Sequence, residues 1–89
     1  MRRSRAEELI LQANPDALFA DGFDDAILGL AERAGEFLVA YDVEKCIEVL
    51  MEQGMDREEA EEYFGFNVVA AYVGEGTPIF VDLDREYEE

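Results

Sequence analysis

The element order of this chain is read most directly from residues 37–64, FLVAYDVEKCIEVLMEQGMDREEAEEYF, where a strand pattern gives way to two helix patterns. The opening apolar run is bounded by turn residues and predicts a strand over 37–41. Asp42 is a favoured helix N-cap, and apolar side chains recur after it at i, i+3, i+4 and i+7. This spacing predicts a helix over 43–53.

A second helix start follows within the same stretch. Gly54 is well suited to end the first helix, because glycine readily adopts the left-handed conformation found there. Asp56 and Glu59 stand three positions apart, as in a capping box, and acidic side chains favour a helix N-terminus. We therefore predict a helix over 57–72, with a kink at Gly65.

The residues before this stretch supply one helix and one further strand. Apolar spacing predicts a helix over 5–13, and the Asn-Pro pair that follows ends it. Residues 26–32 are interpreted as a strand, although their few β-branched side chains also permit a helix. Residues 33–36, which contain Gly35, would join this strand to 37–41 as a hairpin.

After the helices come a turn, a strand and a polar tail. The sequence GEGTP at 74–78 is a turn pattern, 79–83 is predicted as a strand, and 85–89 as a solvated tail. The chain is thus predicted to be a single acidic α+β domain over 1–89, with frayed ends at 1–4 and 85–89. We expect a small antiparallel sheet of about three strands with helices packed on one face, in the order α-β-β-α-α-β.

Charge is the most unusual property of the composition. Of 89 residues, 23 are Asp or Glu and 7 are Lys or Arg, which gives a formal net charge of −16. Such a charge repels nucleic acids and anionic membranes, and it attracts basic surfaces. Since 49% of the residues are hydrophobic, the chain is expected to fold rather than to form a disordered acidic tail. We expect basic protein partners and no direct contact with nucleic acid or membrane.

The sequence lacks the residues that several other classes of protein require. No apolar run is long enough to span a bilayer and no apolar signal core follows the first arginines, so a cytoplasmic location is expected. With no histidine and a single cysteine, Cys46, neither a zinc site nor an internal disulfide is expected. We predict that the protein is not an enzyme and that it uses no cofactor and no metal.

Three acidic residues, Asp21, Asp24 and Asp25, cluster in a predicted loop. They lack the ligand order of an EF-hand, so a calcium or magnesium site is the weaker interpretation. Caps and turn hydrogen bonds account for this type of cluster better.

Rows of carboxylates on the last two predicted helices are the sharpest candidate binding feature. Glu44, Glu48 and Glu52 recur at i, i+4 and i+8, so they share a helix face with a spacing of about 6 Å along the axis. Carboxylates at this spacing can stand in for phosphates and dock on a basic, nucleic-acid-binding groove. The next helix adds Glu58, Glu59, Glu61 and Glu62 to the predicted partner-binding residues.

The acidic helix faces also permit two simpler interpretations. A solvated helix face keeps a small domain soluble without any partner. Abundant acids with a single lysine are also typical of adaptation to high salt, where the charges are screened. Most aromatic residues are expected to build the core, but Tyr63 or Phe66 is predicted to be partly exposed as an interface anchor.

Several short motifs occur in order along the chain: DGFDDAILG (21–29), YD with EKCIEVL (41–50), GMDREEA (54–60), FN (66–67) and GEGTP (74–78). Together they resemble a widespread group of small acidic proteins of tailed phages and prophages, for which no activity is assigned. The resemblance implies a phage or prophage origin and the cytoplasm of a host cell. Small acidic phage proteins include anti-restriction and anti-CRISPR inhibitors, some of which imitate DNA; this is an analogy between classes of protein.

These observations lead to one predicted function and one alternative. We predict an acidic phage-type binding module of the anti-defence type, which inhibits a basic nucleic-acid-binding host protein or nucleoprotein complex, with DNA mimicry as its mechanism. The alternative is a structural or regulatory phage module, for example a homodimer, whose acidity serves only solubility or salt adaptation. Steep salt dependence of binding favours the first, and a salt-insensitive apolar dimer favours the second.

Overall fold

The computed structural model describes residues 1–72 and 74–83. The regular elements are α1 (Arg3–Ala13), β1 (Ile27–Arg33), β2 (Glu36–Asp42), α2 (Val43–Glu52), α3 (Arg57–Tyr63) and β3 (Ile79–Val81). A 3-10 turn (Asp24–Ala26) precedes β1, and a π-helical turn (Phe64–Val68) and a second 3-10 turn (Val69–Ala71) continue α3. We refer to residues 57–71 as the third helical segment. The tail predicted at 85–89 lies outside the described residues.

The predicted α+β class and the predicted order of elements are confirmed. The sheet has the strand order β1-β2-β3. It is mixed, however, and the prediction of an antiparallel sheet is wrong for one pair: β1 and β2 pair antiparallel, whereas β3 runs parallel to β2. The reason is the long connection, because the helices between β2 and β3 give the chain the length to reverse and run beside Ala40–Asp42 in the direction of β2.

A two-residue turn joins β1 to β2, as the hairpin pattern at 33–36 predicts. Ala34 and Gly35 both have positive φ, 53° and 86°. Two consecutive left-handed residues are typical of the type I′ turn, whose twist matches that of the flanking strands. The strands extend to the residues that border this turn, so β2 begins one residue before the predicted range of 37–41.

The apolar core lies between the helices and one face of the sheet. Its buried members include Ala6 and Ile10 of α1, Val39 and Tyr41 of β2, Cys46, Ile47 and Leu50 of α2, and Ala60, Phe64 and Val68 of the third helical segment. Because alternate residues of a strand point to opposite faces, Val39 and Tyr41 enter this core from the same face of β2. Leu38 and Ala40, on the other face, are buried as well, at 0% and 5% exposure. The buried Tyr41 hydroxyl accepts a hydrogen bond from the backbone N–H of Ala20 at 2.8 Å, which attaches the long loop after α1 to the core.

Both predicted helix caps are present. The Asp42 side chain accepts a hydrogen bond from the backbone N–H of Glu44 at 3.1 Å and begins α2. At α3 the capping box is complete, since Asp56 Oδ1 accepts from the Glu59 N–H at 2.8 Å and Glu59 Oε1 accepts from the Asp56 N–H at 3.3 Å. Each cap satisfies backbone donors that the first turn of a helix leaves without partners. The starts of α2 and α3 are therefore where the sequence predicts them.

The helix predicted over 57–72 is not α-helical throughout. It is α-helical as far as Tyr63 and then widens into the π-helical turn, which contains Gly65, the predicted kink. The wider turn keeps Phe64 and Val68 buried in the core at 6% exposure each. The correction therefore concerns the form of this helix and not its existence.

The first helix begins at Arg3, two residues before the predicted range of 5–13. Part of the end predicted to fray, 1–4, is thus helical. Arg3 Nη1 donates a hydrogen bond to Asp24 Oδ1 at 3.0 Å, and its guanidinium lies 3.9 Å from the centre of the Phe19 ring. These contacts connect the first turn of α1 to the loop that precedes β1.

Candidate functional site

Three neighbouring depressions lie beside the C-terminal end of α2 and the third helical segment. The first has a volume of about 240 Å³ and is formed by residues 21–23, by the C-terminal end of α2 and by residues in and around the π-helical turn. Its lining includes Asp21, Phe23, Gln53, Tyr63, Asn67 and Tyr72. It thus combines three aromatic rings, two amides and one carboxylate.

The other two depressions adjoin the first on either side. The second, of about 330 Å³, shares Tyr63 and Asn67 with the first and adds Met55, Glu59, Glu62 and Phe66. The third, of about 180 Å³, shares Gly22 with the first and adds Asp24, Asp25, Val49 and Glu52. Because the first depression shares lining residues with each of the other two, we treat the three depressions together and call them the acidic groove.

Six carboxylates line the acidic groove: Asp21, Asp24, Asp25, Glu52, Glu59 and Glu62. One of them, Asp24, is paired with Arg3 of the same chain at 3.0 Å. Among the described residues that line it, none is a lysine or an arginine. Carboxylates that share one concave surface add their potentials, and a concave shape focuses the resulting field. The groove therefore attracts cationic groups more strongly than an even distribution of the same charges would.

An exposed aromatic pair lies at one end of the acidic groove. Phe66 is 79% exposed and Tyr63 is 43% exposed, so both residues named as candidate anchors lie at the surface. Both belong to the third helical segment, whose inward positions are filled by Ala60 and Phe64. Aromatic side chains are enriched in protein interfaces relative to the rest of the surface, so this exposed pair is a candidate contact.

The structure brings three of the predicted partner-binding residues into the groove and leaves four outside it. Glu52, Glu59 and Glu62 line the groove. Glu58 is exposed but lines none of the three depressions. The remaining three predicted residues are Glu44, Glu48 and Glu61, which lie in ion pairs with basic residues of the same chain.

Arg57 at the start of α3 accounts for two of these ion pairs. Its guanidinium forms a bidentate ion pair with the carboxylate of Glu44, and one of the two hydrogen bonds measures 3.3 Å. The same side chain lies 3.6 Å from Glu61 Oε2. The hydrogen bond and the charge of Glu44 raise the pKa of Arg57 above its usual value. Glu44 therefore joins α2 to α3.

Glu48 has its own partner on α2, since Lys45 Nζ lies 3.8 Å from Glu48 Oε2. That Glu44, Glu48 and Glu52 bind a partner as one row stays a prediction, but the three residues have different surroundings. The first two have cationic neighbours in this chain, and only Glu52 lines the groove. Helical spacing places the three on one face, but it says nothing about the partners supplied by other residues.

Half of the groove carries no recognisable signal in the sequence. The pattern around Asp21, Asp24 and Asp25 favours turn and cap roles, Gln53 belongs to no motif, and Asn67 occurs only in the short FN motif at 66–67. The loop acids lie beside Val49 and Glu52 only because the loop packs against α2. The density of acids around Gly22 is the one pattern in the sequence that could have indicated their position.

No cluster of three potential ligands for a metal ion, drawn from His, Cys, Asp and Glu, occurs within residues 1–72 and 74–83. The Cys46 thiol is buried in the core, and burial, with a smaller effect of the Asp42 charge, raises its pKa to about 12. A thiol with such a pKa stays protonated at neutral pH and is a poor nucleophile. Cys46 therefore acts in packing.

The part of the chain that the structure describes contains no helix with the length and apolar character needed to cross a membrane. The chain matches no protein-family model, and its comparison with curated proteins and with solved structures gave no significant match. The resemblance to small phage proteins therefore stays a prediction.

Proposed function

We propose that this protein is an acidic binding module that inhibits a basic nucleic-acid-binding protein. The acidic groove would occupy the surface on which that partner holds nucleic acid. A phage origin and the host cytoplasm as the place of action belong to the same proposal, with a defence nuclease complex as the favoured class of partner. The observation that carries it is the concave surface with six carboxylates beside the exposed Phe66.

The proposed affinity has two sources, ion pairs to the carboxylates and burial of Phe66, and their free energies can be compared. An ion pair at an exposed site contributes about 0.2–1 kcal/mol, so several are needed. Complete burial of the Phe66 side chain would contribute about 2 kcal/mol. Neither source suffices alone for a stable complex, because association itself costs several kcal/mol. A partner must therefore contact the carboxylates and Phe66 together.

A homodimer through the exposed aromatic pair is the competing proposal, and the exposure of Phe66 is what favours it. Two copies that met at Phe66 would bring Glu59 and Glu62 of each copy close together. Like charges at such an interface oppose association unless salt screens them. The charge of the groove thus favours a basic partner over a second copy.

Affinity capture from host lysate tests the proposal when three baits are compared. The first bait is the wild-type protein, and the second carries Glu52→Gln, Glu59→Gln and Glu62→Gln. Glutamine at position 59 keeps the capping box of α3. The third is a matched control with Glu32→Gln, Glu36→Gln and Glu75→Gln, which changes the net charge equally at exposed residues outside the groove.

We expect the wild-type and control baits to capture nucleic-acid-binding proteins at low salt and to release them at about 500 mM salt, where the Debye length is short. Added duplex DNA should displace the same proteins, and the groove variant should retain much less of them. Equal capture by the groove and control variants would exclude the groove as the binding surface. Capture that DNA fails to displace would exclude occupation of a nucleic-acid path. Sedimentation at low and high salt tests the homodimer.

A further inference from the structure

We propose that the first depression of the acidic groove binds an arginine side chain of the partner. This inference rests on the proposed function and specifies the chemistry of its central contact. It arises from the lining of the depression, which joins the Asp21 carboxylate to the rings of Tyr63 and Tyr72 and to the amides of Gln53 and Asn67. The other two depressions supply carboxylates on either side of it.

The lining matches a guanidinium group in both of its binding modes. Guanidinium is planar, presents five N–H donors and is weakly hydrated, so it donates to carboxylate and amide oxygens at its edge while its face stacks on an aromatic ring. Asp21, Gln53 and Asn67 carry the oxygen acceptors, and Tyr63 and Tyr72 carry the rings. The ammonium group of lysine is a compact, strongly hydrated charge. It stacks less well on an aromatic ring and cannot match the bidentate hydrogen bonds of guanidinium.

The volume and the charge of the depression fit the same occupant. A space of about 240 Å³ is large enough for one long side chain. Within residues 1–72 and 74–83, the arginines with assigned partners contact carboxylates other than Asp21. A cation from another protein can thus enter without displacing one of those internal ion pairs.

The molecule already binds one of its own arginines in this manner. Arg3 lies 3.9 Å from the centre of the Phe19 ring and donates to Asp24 Oδ1 at 3.0 Å. One ring and one carboxylate thus hold a guanidinium on this fold. The first depression offers the same two elements, with additional rings and two amides, to an arginine from outside.

Three peptides that differ at one central position test the inference directly. The position carries arginine, lysine or citrulline, which has the shape of arginine without its charge, and the flanking lysines are identical. Each peptide is titrated into isotope-labelled protein, and binding is followed by NMR chemical shifts. We expect the arginine peptide to bind about tenfold more tightly than the citrulline peptide and about threefold more tightly than the lysine peptide. The largest shifts are expected at Asp21 and Asn67.

Two variants locate the contact, and one controls for charge. Asp21→Asn should reduce the affinity for the arginine peptide to that for the citrulline peptide, and Tyr63→Leu should remove the preference for arginine over lysine. Tyr63 is 43% exposed, so its replacement should leave the fold intact. Asp16→Asn makes the same change of charge at an exposed residue outside the groove and should bind like wild type.

The outcomes separate this inference from the proposed function. If all three peptides bind equally and Asp21→Asn has no effect, the arginine site is excluded while an acidic groove for basic partners stands. If lysine binds as tightly as arginine in wild type, the preference for guanidinium is wrong. If no peptide binds at low salt, the arginine site is excluded, and capture from lysate with the three protein baits decides the proposed function separately.

Discussion

The two sides of the third helical segment differ in the contacts that their side chains make. On the inner side, Phe64 and Val68 are buried in the core, and at the start of the segment Arg57 pairs at the surface with the carboxylate of Glu44. On the side of the acidic groove, Glu62 forms no ion pair with the described residues, and Phe66 is 79% exposed. One helical segment thus supports the fold with one face and exposes carboxylates and an aromatic ring on the other.

The comparison shows that charge density alone does not mark a binding surface in an acidic protein. Glu44 and Glu62 are identical residues on neighbouring helices, and only their surroundings separate them. Glu44 has a bidentate arginine, whereas Glu62 lies in a depression with other carboxylates and an exposed ring. The distribution of the few basic side chains is therefore as informative as that of the acids.

The largest expected effect is on the free energy of unfolding, and it differs between two phenylalanines that are two positions apart. Phe64→Ala removes a buried ring and should lower the free energy of unfolding by about 3–5 kcal/mol. Phe66→Ala should change it by less than about 0.5 kcal/mol, because the ring is mostly in water. Urea denaturation of both variants measures the difference. Similar losses of stability in the two would contradict the division into an inner side and a groove side.

A smaller effect is expected from alkaline pH, and it reports on the core beneath the segment. Burial raises the pKa of Tyr41 from 10.0 to about 12 and that of Cys46 from 9.0 to about 12. Both groups ionise more readily when unfolded, so their contribution is complete below about pH 9 and is lost as the pH rises toward 12. We expect the free energy of unfolding to fall by about 2 kcal/mol between about pH 8 and pH 10.

Urea denaturation across this pH range measures the slope, and Cys46→Ala is the control. The cavity left by the thiol lowers stability at every pH, but most of the slope up to about pH 10 should disappear with the group that titrates. An unchanged slope in Cys46→Ala would show that another group causes the alkaline loss.

The smallest effect is expected at the ion pair between α2 and α3. Glu44→Gln removes the charge that pairs with Arg57, and since the pair is exposed we expect only a slight decrease in Tm. Binding of a basic partner should not change, because Glu44 lines none of the three depressions. A loss of binding as large as that of the groove variant would place the interface on the side of Glu44 instead.

The sequence predicts those parts of the fold that short-range patterns specify. Asp42 and Asp56 are caps with local partners, and the hairpin at Ala34 and Gly35 needs only its own two residues. The parallel pairing of β3 depends on where the helices return the chain, and no local pattern records that. The π-helical turn likewise follows from packing in the core.

The candidate site is predictable only in part for the same reason. Glu52, Glu59 and Glu62 are helix residues, and the acidic pattern of the two helices identifies them from the sequence. Asp21 reaches the groove through the packing of a loop on α2, which depends on contacts distant in the sequence. The pairing of Glu44 with Arg57 joins residues on different helices, so periodicity within one helix could not reveal it.

The parallel pairing of β3 with β2 has a consequence for the order of folding. The hairpin of β1 and β2 is local, whereas β3 pairs with β2 across the intervening helices, so we expect β3 to join later, because contacts distant in sequence form more slowly. Until then the backbone of β2 offers unpaired donors and acceptors to any other chain. A net charge of −16 on every copy makes such encounters between newly synthesised chains unfavourable. The same acidity that shapes the surface of the folded protein thus protects it from aggregation while it folds.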